Sequence, residues 1–429
     1  MPEPSRNVNR RDFIKSGTVA LSGCTVAAPV LVSGCSFRTP AANVVRLGVT
    51  GYSAEPYRRV LKDFDFAGKT GLEVQVIVRP TTTNEILTQM TGAIQAQTSP
   101  YDVLDMEDSV AVSLSRAGWL LPLDDIITPQ IWADFTKPLL EMTKVWDQHE
   151  GETFRVHHNF EVCYWWYRKD WFAEKGIDVP RTWDDVKAMG KIFTDSEKGI
   201  WATEEGMQKN AYLDVYMAWI TRQAGGDLYE VDDSFRVALE YVHDLMYKDK
   251  VLNPACLQKN YDQQNNNYIA DRVAFMRQWP FFYDVSQKYS SWYSPEKVAC
   301  ALPPVGPGGK SLSTYAAGWG YGIPKTAPNA DGARELIRFL VSNKNAAKMV
   351  DYSAWFLNAR HSVLKAAGQT ELAKYLKMYM DAGVITTRPF HRKYTEAVAI
   401  LENVTSAFLT KQLTLDAALS KAKDQMSRL

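Results

Sequence analysis

Three carboxylates and a set of large rings stand where the strands of this chain should end. Tyr52 and Glu55 lie in a Gly- and Pro-containing turn after the β-branched run 44–49, and Glu107, Asp108 and Ser109 follow the run 102–106. Trp279 and Phe281 flank Pro280 at the end of another run, and Trp319 stands between Gly318 and Gly320, where the backbone can be approached closely. Glu161, Tyr212, Tyr216 and Arg388 extend the set. Carboxylates accept paired hydroxyls, and ring faces cover the C–H faces of a sugar, so acids interleaved with aromatics point to binding of a small polyhydroxylated molecule. Several of these residues also have plainer readings. Asp108 can cap a helix beginning at Ser109, Tyr52 and Glu55 can be a solvated turn, and Trp279 and Phe281 can be packing.

Enzymatic motifs do not fit. There is no GxSxG elbow, HExxH or CxxC. The 306–311 segment has Pro304 where a phosphate loop needs its first Gly, and Gly318, Gly320 and Gly322 lack the spacing of a dinucleotide site. His157 and His158 are strand neighbours that point apart, so no shared metal is expected. No cofactor is called for, and the chain is read as a non-enzyme.

The elements that must position these residues follow from periodicity. Residues 44–49, 73–79 and 102–104 read as strands, with helices from about residue 57 and over 81–96 between them, which predicts α/β architecture with a parallel sheet. A second α/β region starts near residue 158, with a strand over 160–167, a helix over 183–193 capped by Thr182, further helices over 212–224 and 235–247, and a strand over 273–276. Trp165 and Trp166 point to opposite faces of their strand, so at least one is core. Strands at 299–303 and 320–324 and a helix at 330–342 follow, and the remainder is largely helical. At 429 residues, two lobes are expected, each with its own core. Lysine plus arginine equals aspartate plus glutamate at 49 each, so no net field draws the body to nucleic acid or anionic lipid.

The N-terminus reads as an address. Arg10 and Arg11, followed by Phe13, Ile14 and Lys15, form a twin-arginine n-region before an uncharged stretch of about 19 residues interrupted by Pro29. Residues 32–35 end in Cys35 and look like a lipobox, whose thiol is acylated. Residues 1–35 are therefore expected to be an export signal and 36–43 a tether. Cys35 is taken as the lipidation site, although simple cleavage of the signal remains open. Only Cys163, Cys256 and Cys300 follow, and no pairing among them can be assigned.

Taken in order, the landmarks resemble the extracellular solute-binding proteins of ABC importers, the family typified by maltose-binding protein. Residues 101–103 with 117–124 are similar to that family's strand, ligand loop and AG-x-L-x-P-L-D segment. Residues 167–172, Gly176 and 180–185 are similar to its YNKDLF…G…PPKTWDE stretch, with Arg168 in place of the usual Asn. Residues 274–280, 322–325, Arg388-Pro389 and the final helix complete the plan. The resemblance implies a two-lobed clamp, each lobe a sheet flanked by helices, joined by crossing hinge strands. Lobe 1 is expected over 44–158 plus 302–345, and lobe 2 over 159–301 plus 346–429. It places Glu161 as a ligand-binding acid at the crossover and Trp279 or Phe281 as a stacking ring. The implied partners are a small-molecule ligand, best read as carbohydrate, and ABC permease subunits. No nucleic acid partner is implied, and the chain is read as a monomer held outside the membrane by lipid. A sugar phosphate, a glycerol phosphoester or a polyamine is the alternative solute, and an envelope hydrolase the alternative class.

Overall fold

The computed structural model describes residues 43–80, 82–209, 212–288, 292–307 and 313–429. Arg10, Arg11, Cys35 and nearly all of the 36–43 tether lie outside the described residues. Among those described, no helix is long and apolar enough to cross a membrane.

The first lobe is built on a sheet in the order Glu73–Val78, Val44–Val49, Val103–Glu107, Trp319–Pro324, Leu120–Leu121, with Val156–His157 also pairing with Trp319–Pro324. Its first three strands are parallel, as the alternation of strand and helix predicts. The sheet as a whole is mixed, because Trp319–Pro324 re-enters from the second lobe and runs antiparallel to each of its neighbours. Local chemistry sets the helix starts. Thr82 with Glu85, and Thr182 with Asp185, form reciprocal capping boxes that satisfy donors otherwise left open in the first turn.

The second lobe carries a four-stranded sheet in the order Trp201–Thr203, Val273–Gln278, Tyr164–Arg168, Val298–Ala301. A third sheet joins Ile385–Thr387, Thr314–Ala317 and Glu161–Val162. The single strand expected over 160–167 is thus broken at Cys163, because its two halves enter different sheets. Within residues 302–345, Thr314–Ala317 pairs with Glu161–Val162, whereas Trp319 onward belongs to the first sheet. Trp165 and Trp166 are both buried. Trp165 stacks on Phe275 at 4.9 Å and Trp166 meets Phe282 edge-on at 5.2 Å, on opposite faces of the strand. Cys163, Cys256 and Cys300 are buried and free.

Candidate functional site

The carboxyl ends of the first lobe's strands, where open α/β sheets collect ligands, face the start of the Phe281–Gln287 helix of the second lobe. That helix begins immediately after Pro280, where the sequence reads only a strand end. A row of rings crosses the divide. Trp319 lies 4.8 Å from Trp355, Trp355 lies 5.7 Å from Tyr52, Tyr52 lies 6.0 Å from Phe281, Phe281 lies 6.4 Å from Tyr261, and Tyr261 lies 4.4 Å from Tyr212. Centroid separations of this size are those of favourable edge-on or tilted ring pairs.

Carboxylates line the row. Trp319 sits opposite Glu107 in register, and Glu161 sits opposite Ala317, two residues before Trp319. Glu107 accepts hydrogen bonds from the Thr83 and Ser109 hydroxyls. Glu161 is 8% exposed, and burial pushes its carboxyl up to about 8. The Asn159 amide and the Trp319 indole, which hydrogen-bond to it, pull that value down, while Asp108 and Glu107 push it further up. At neutral pH Glu161 therefore holds its proton, and it offers the cleft both a donor and an acceptor.

Trp319 is held by its glycines. A Cβ on Gly318 would lie 2.6 Å from the Asn159 carbonyl oxygen, and one on Gly320 would lie 2.6 Å from that of Val156. The crossing segment between the lobes is pressed against this strand, and only glycine lets it approach. Gly320→Ala is expected to cost about 1–3 kcal/mol of stability, measured from the urea midpoint. An unchanged midpoint would show that the crossing segment yields.

The expected site residues divide in two. Tyr52, Glu107, Ser109, Glu161, Tyr212, Phe281 and Trp319 meet at the cleft. Arg388 reaches its edge, bound to Asp214 at 3.2 Å and to Tyr394, and close enough to Glu107 for their charges to interact. The other four are elsewhere. Glu55 is turned to solvent beside Arg58, because the first helix presents its other face to the sheet. Asp108 neither caps the helix it begins nor reaches the cleft. It is buried on Arg155 at 2.6 Å and accepts the Gly318 N–H at 3.1 Å. Tyr216 is buried in the second lobe, its ring 5.5 Å from the Arg277 guanidinium. Trp279 packs behind the cleft wall and donates its indole N–H to Tyr261 at 3.1 Å. His157 and His158 do point apart. His157 faces Asp147 at 2.5 Å, and His158 faces Asp105 at 2.8 Å.

Four cleft groups escape sequence reasoning: Arg79, Tyr261, Asp284 and Trp355. Arg79 lies between strand ends, 5.1 Å from the Trp319 ring, and donates to the Asp105 carbonyl at 2.9 Å. Its Nη2 is buried without a hydrogen-bond partner. The Arg-Pro pair at a strand end was the available signal for it. For Trp355 the signal was the aromatic cluster Tyr352, Trp355, Phe356.

Comparison with known proteins agrees with this geometry. Residues 50–347 match the family model described as bacterial extracellular solute-binding protein. A probable ABC transporter-binding protein of Deinococcus radiodurans is 24% identical over 62% of this chain and 66% of its own length. An uncharacterized ABC transporter extracellular-binding protein of Pyrococcus horikoshii is 24% identical over 40% of each chain. The chain thus spans less than two thirds of these relatives. Among solved structures, maltose-bound MalE3 of Thermotoga maritima superposes with a TM-score of 0.77 at 23% identity, covering 90% of this chain and 100% of that one. A solute-binding protein of Thermotoga lettingae bound with α-D-tagatose gives 0.77 at 20% identity, over 90% and 99%. One of Agrobacterium radiobacter in complex with ribitol gives 0.75 at 19%, over 90% and 98%. These likenesses establish the two-lobed clamp fold.

Proposed function

Because this chain belongs to the bacterial extracellular solute-binding protein family, we propose that it captures a sugar or polyol between its lobes and delivers it to an ABC permease. The observation that carries this reading is the ring row from Trp319 to Tyr212 beside the carboxyl groups of Glu107 and Glu161. Rings cover C–H faces and carboxyl groups bind hydroxyls, and neither alone selects a sugar. Closure is a population shift, driven by contacts that exist only when both lobes touch the solute. In this reading residues 44–158 and 302–345 contribute mainly to one lobe and 159–301 and 346–429 to the other, except that the segment 352–360 packs on the first lobe through Asp63, Tyr57 and Asp134. The twin arginines direct export, Cys35 carries the lipid, and the protein acts as a monomer.

A phosphorylated sugar is the competing solute, favoured by the open Nη2 of Arg79. Arg388 does not favour it, being held by Asp214. A thermal-shift screen of the mature protein against neutral sugars, polyols, sugar phosphates and polyamines separates these readings. A solute at 100 times its dissociation constant stabilises by about 2.7 kcal/mol, a shift of a few degrees for a chain of this size. Phe281→Ala, which removes a ring at the centre of the row, is expected to weaken binding of the hit by about 10- to 100-fold, on the scale of a buried aromatic anchor. A screen blank in every class would sink the binding reading.

A further inference from the structure

One carboxylate gathers donors from across the cleft. Asp284 lies in the first turn of the Phe281–Gln287 helix, which is anchored in the second lobe by Phe282 against Trp166 and Tyr268. Its Oδ2 accepts the Tyr52 hydroxyl, the Ser353 hydroxyl at 2.6 Å and the Ala354 N–H at 3.0 Å. All three donors are held by the first lobe. Tyr52 follows that lobe's first strand. The segment carrying Ser353 and Ala354 is bound there by Tyr352 to Asp63 at 3.0 Å, by Asn358 to the His158 carbonyl at 3.1 Å, and by Phe356 against Tyr57 at 5.0 Å.

Among the described residues no cation forms an ion pair with Asp284. Two hydroxyls from separate elements, 3.4 Å apart, serve one carboxylate oxygen instead, as adjacent hydroxyls of a polyol would. Burial and the neighbouring Asp284 charge keep the proton on the Tyr52 phenol, so it remains a donor. The Tyr52 ring also stands edge-on between Phe281 and Trp355, so one swing of this side chain uncovers both rings and frees one acceptor position on the carboxylate, which Ser353 and Ala354 continue to hold.

We propose that Asp284 is an acceptor for ligand hydroxyls and that Tyr52 is its built-in occupant, a phenol that clasps the lobes in the unliganded protein and gives way when a polyol binds. The proposal rests on the reading of the cleft as a sugar or polyol site. A contact that occupies the binding group lowers apparent affinity by the fraction of molecules it blocks, so Tyr52 sets the concentration at which the clamp responds.

Small-angle scattering of the unliganded mature protein, paired with calorimetric titrations of maltose, tagatose and ribitol, tests this. Tyr52→Phe removes a single oxygen, and Ser353→Ala removes a second donor should Asp284→Ala fold poorly. In scattering, Tyr52→Phe and Asp284→Ala are expected to be more expanded than the parent. In titration, Tyr52→Phe is expected to bind about 3- to 10-fold more tightly, because the competitor is gone, and Asp284→Ala at least 10-fold more weakly. Unchanged scattering of Tyr52→Phe with binding intact overturns the clasp alone, and weaker binding by Tyr52→Phe overturns its role as a competitor. Expansion of the variants with no binding of any of the three solutes would instead remove the polyol reading, and displacement with it.

Discussion

Asp108→Ala is expected to lower the stability of the protein by about 3–5 kcal/mol at pH 7, because it removes one of the two carboxylates that hold a fully buried arginine. Arg155 is fully buried, with its Nη2 on Asp108 and its Nε on Asp147, both at 2.6 Å. Its Nη1 donates to the carbonyls of Met106 at 3.1 Å and Gly318 at 3.2 Å. One guanidinium thus ties the end of the third strand, the crossing segment and the returning Trp319 strand. Burial alone would raise the Asp108 carboxyl, but Arg155 and His157 outweigh it and hold it at about 2. Its contribution is therefore present above the ordinary carboxylate range near 3.9 and is lost as pH falls through about 2. Urea unfolding of parent and variant between pH 7 and pH 2 reads this. The gap between the two curves should narrow by about 2 kcal/mol at the acid end, and a gap below 1 kcal/mol at pH 7 would mean that the arginine finds other partners.

Asp108 also marks where the sequence stops being legible. The helix from Trp183 to Phe193 and its Thr182 cap are read at their true ends, because a capping box and a helical period are both local. The strands Val44–Val49 and Glu73–Val78 are read within a residue for the same reason. Asp108, by contrast, is claimed by a side chain 47 positions later in the chain, and nothing near it in sequence announces Arg155. Asp284 and Trp355 reach the cleft from a helix hidden behind Pro280 and from the single turn Ala354–Phe356, so position in the chain gives no sign of them. Glu161 was legible as a ligand-binding acid through the family pattern, and Phe281 through its place at a strand end together with that pattern. Tyr216, on the helix expected over 212–224, and Trp279, at a strand end, look like ligand-facing rings in sequence, yet lie in the wall behind the cleft, since sequence pattern does not tell the two faces of a wall apart.

The second large effect belongs to Glu161, and its sign is opposite. A carboxyl pushed up to about 8 from an ordinary value near 4.5 contributes stability that is fully present below pH 4.5 and is lost as pH rises through about 8. Ionising it places a charge at the cleft beside Glu107, with the charge of the buried Asp108 also opposing it. Over that window the loss is on the order of 3–5 kcal/mol. Glu205, raised by burial to about 7 although Arg277 opposes the rise, pulls in the same direction, so the parent's profile alone does not isolate Glu161. Subtracting the profile of Glu161→Gln does, because the amide keeps the shape and one acceptor oxygen but cannot ionise. The variant should match the parent at pH 5 and exceed it at pH 9. Parallel profiles would show that Glu161 does not titrate in this range. If the cleft binds a polyol, the parent's affinity should decline as pH rises through about 8 while the variant's stays level.

The strand Trp319–Pro324, inserted between Val103–Glu107 and Leu120–Leu121, bears on how the protein comes into being. At 5–20 residues per second, a ribosome needs roughly 10–40 s to travel from Glu107 to Trp319. For all that time the first sheet has an open edge on its third strand, with Leu104 and Met106 short of their final neighbours. The amino-terminal lobe therefore cannot be completed first, as the order of synthesis would favour, and the nascent chain is exposed to mispairing until most of it has been made. A fragment ending before residue 319 lacks the strand that covers this edge and is expected to aggregate more readily than the full chain.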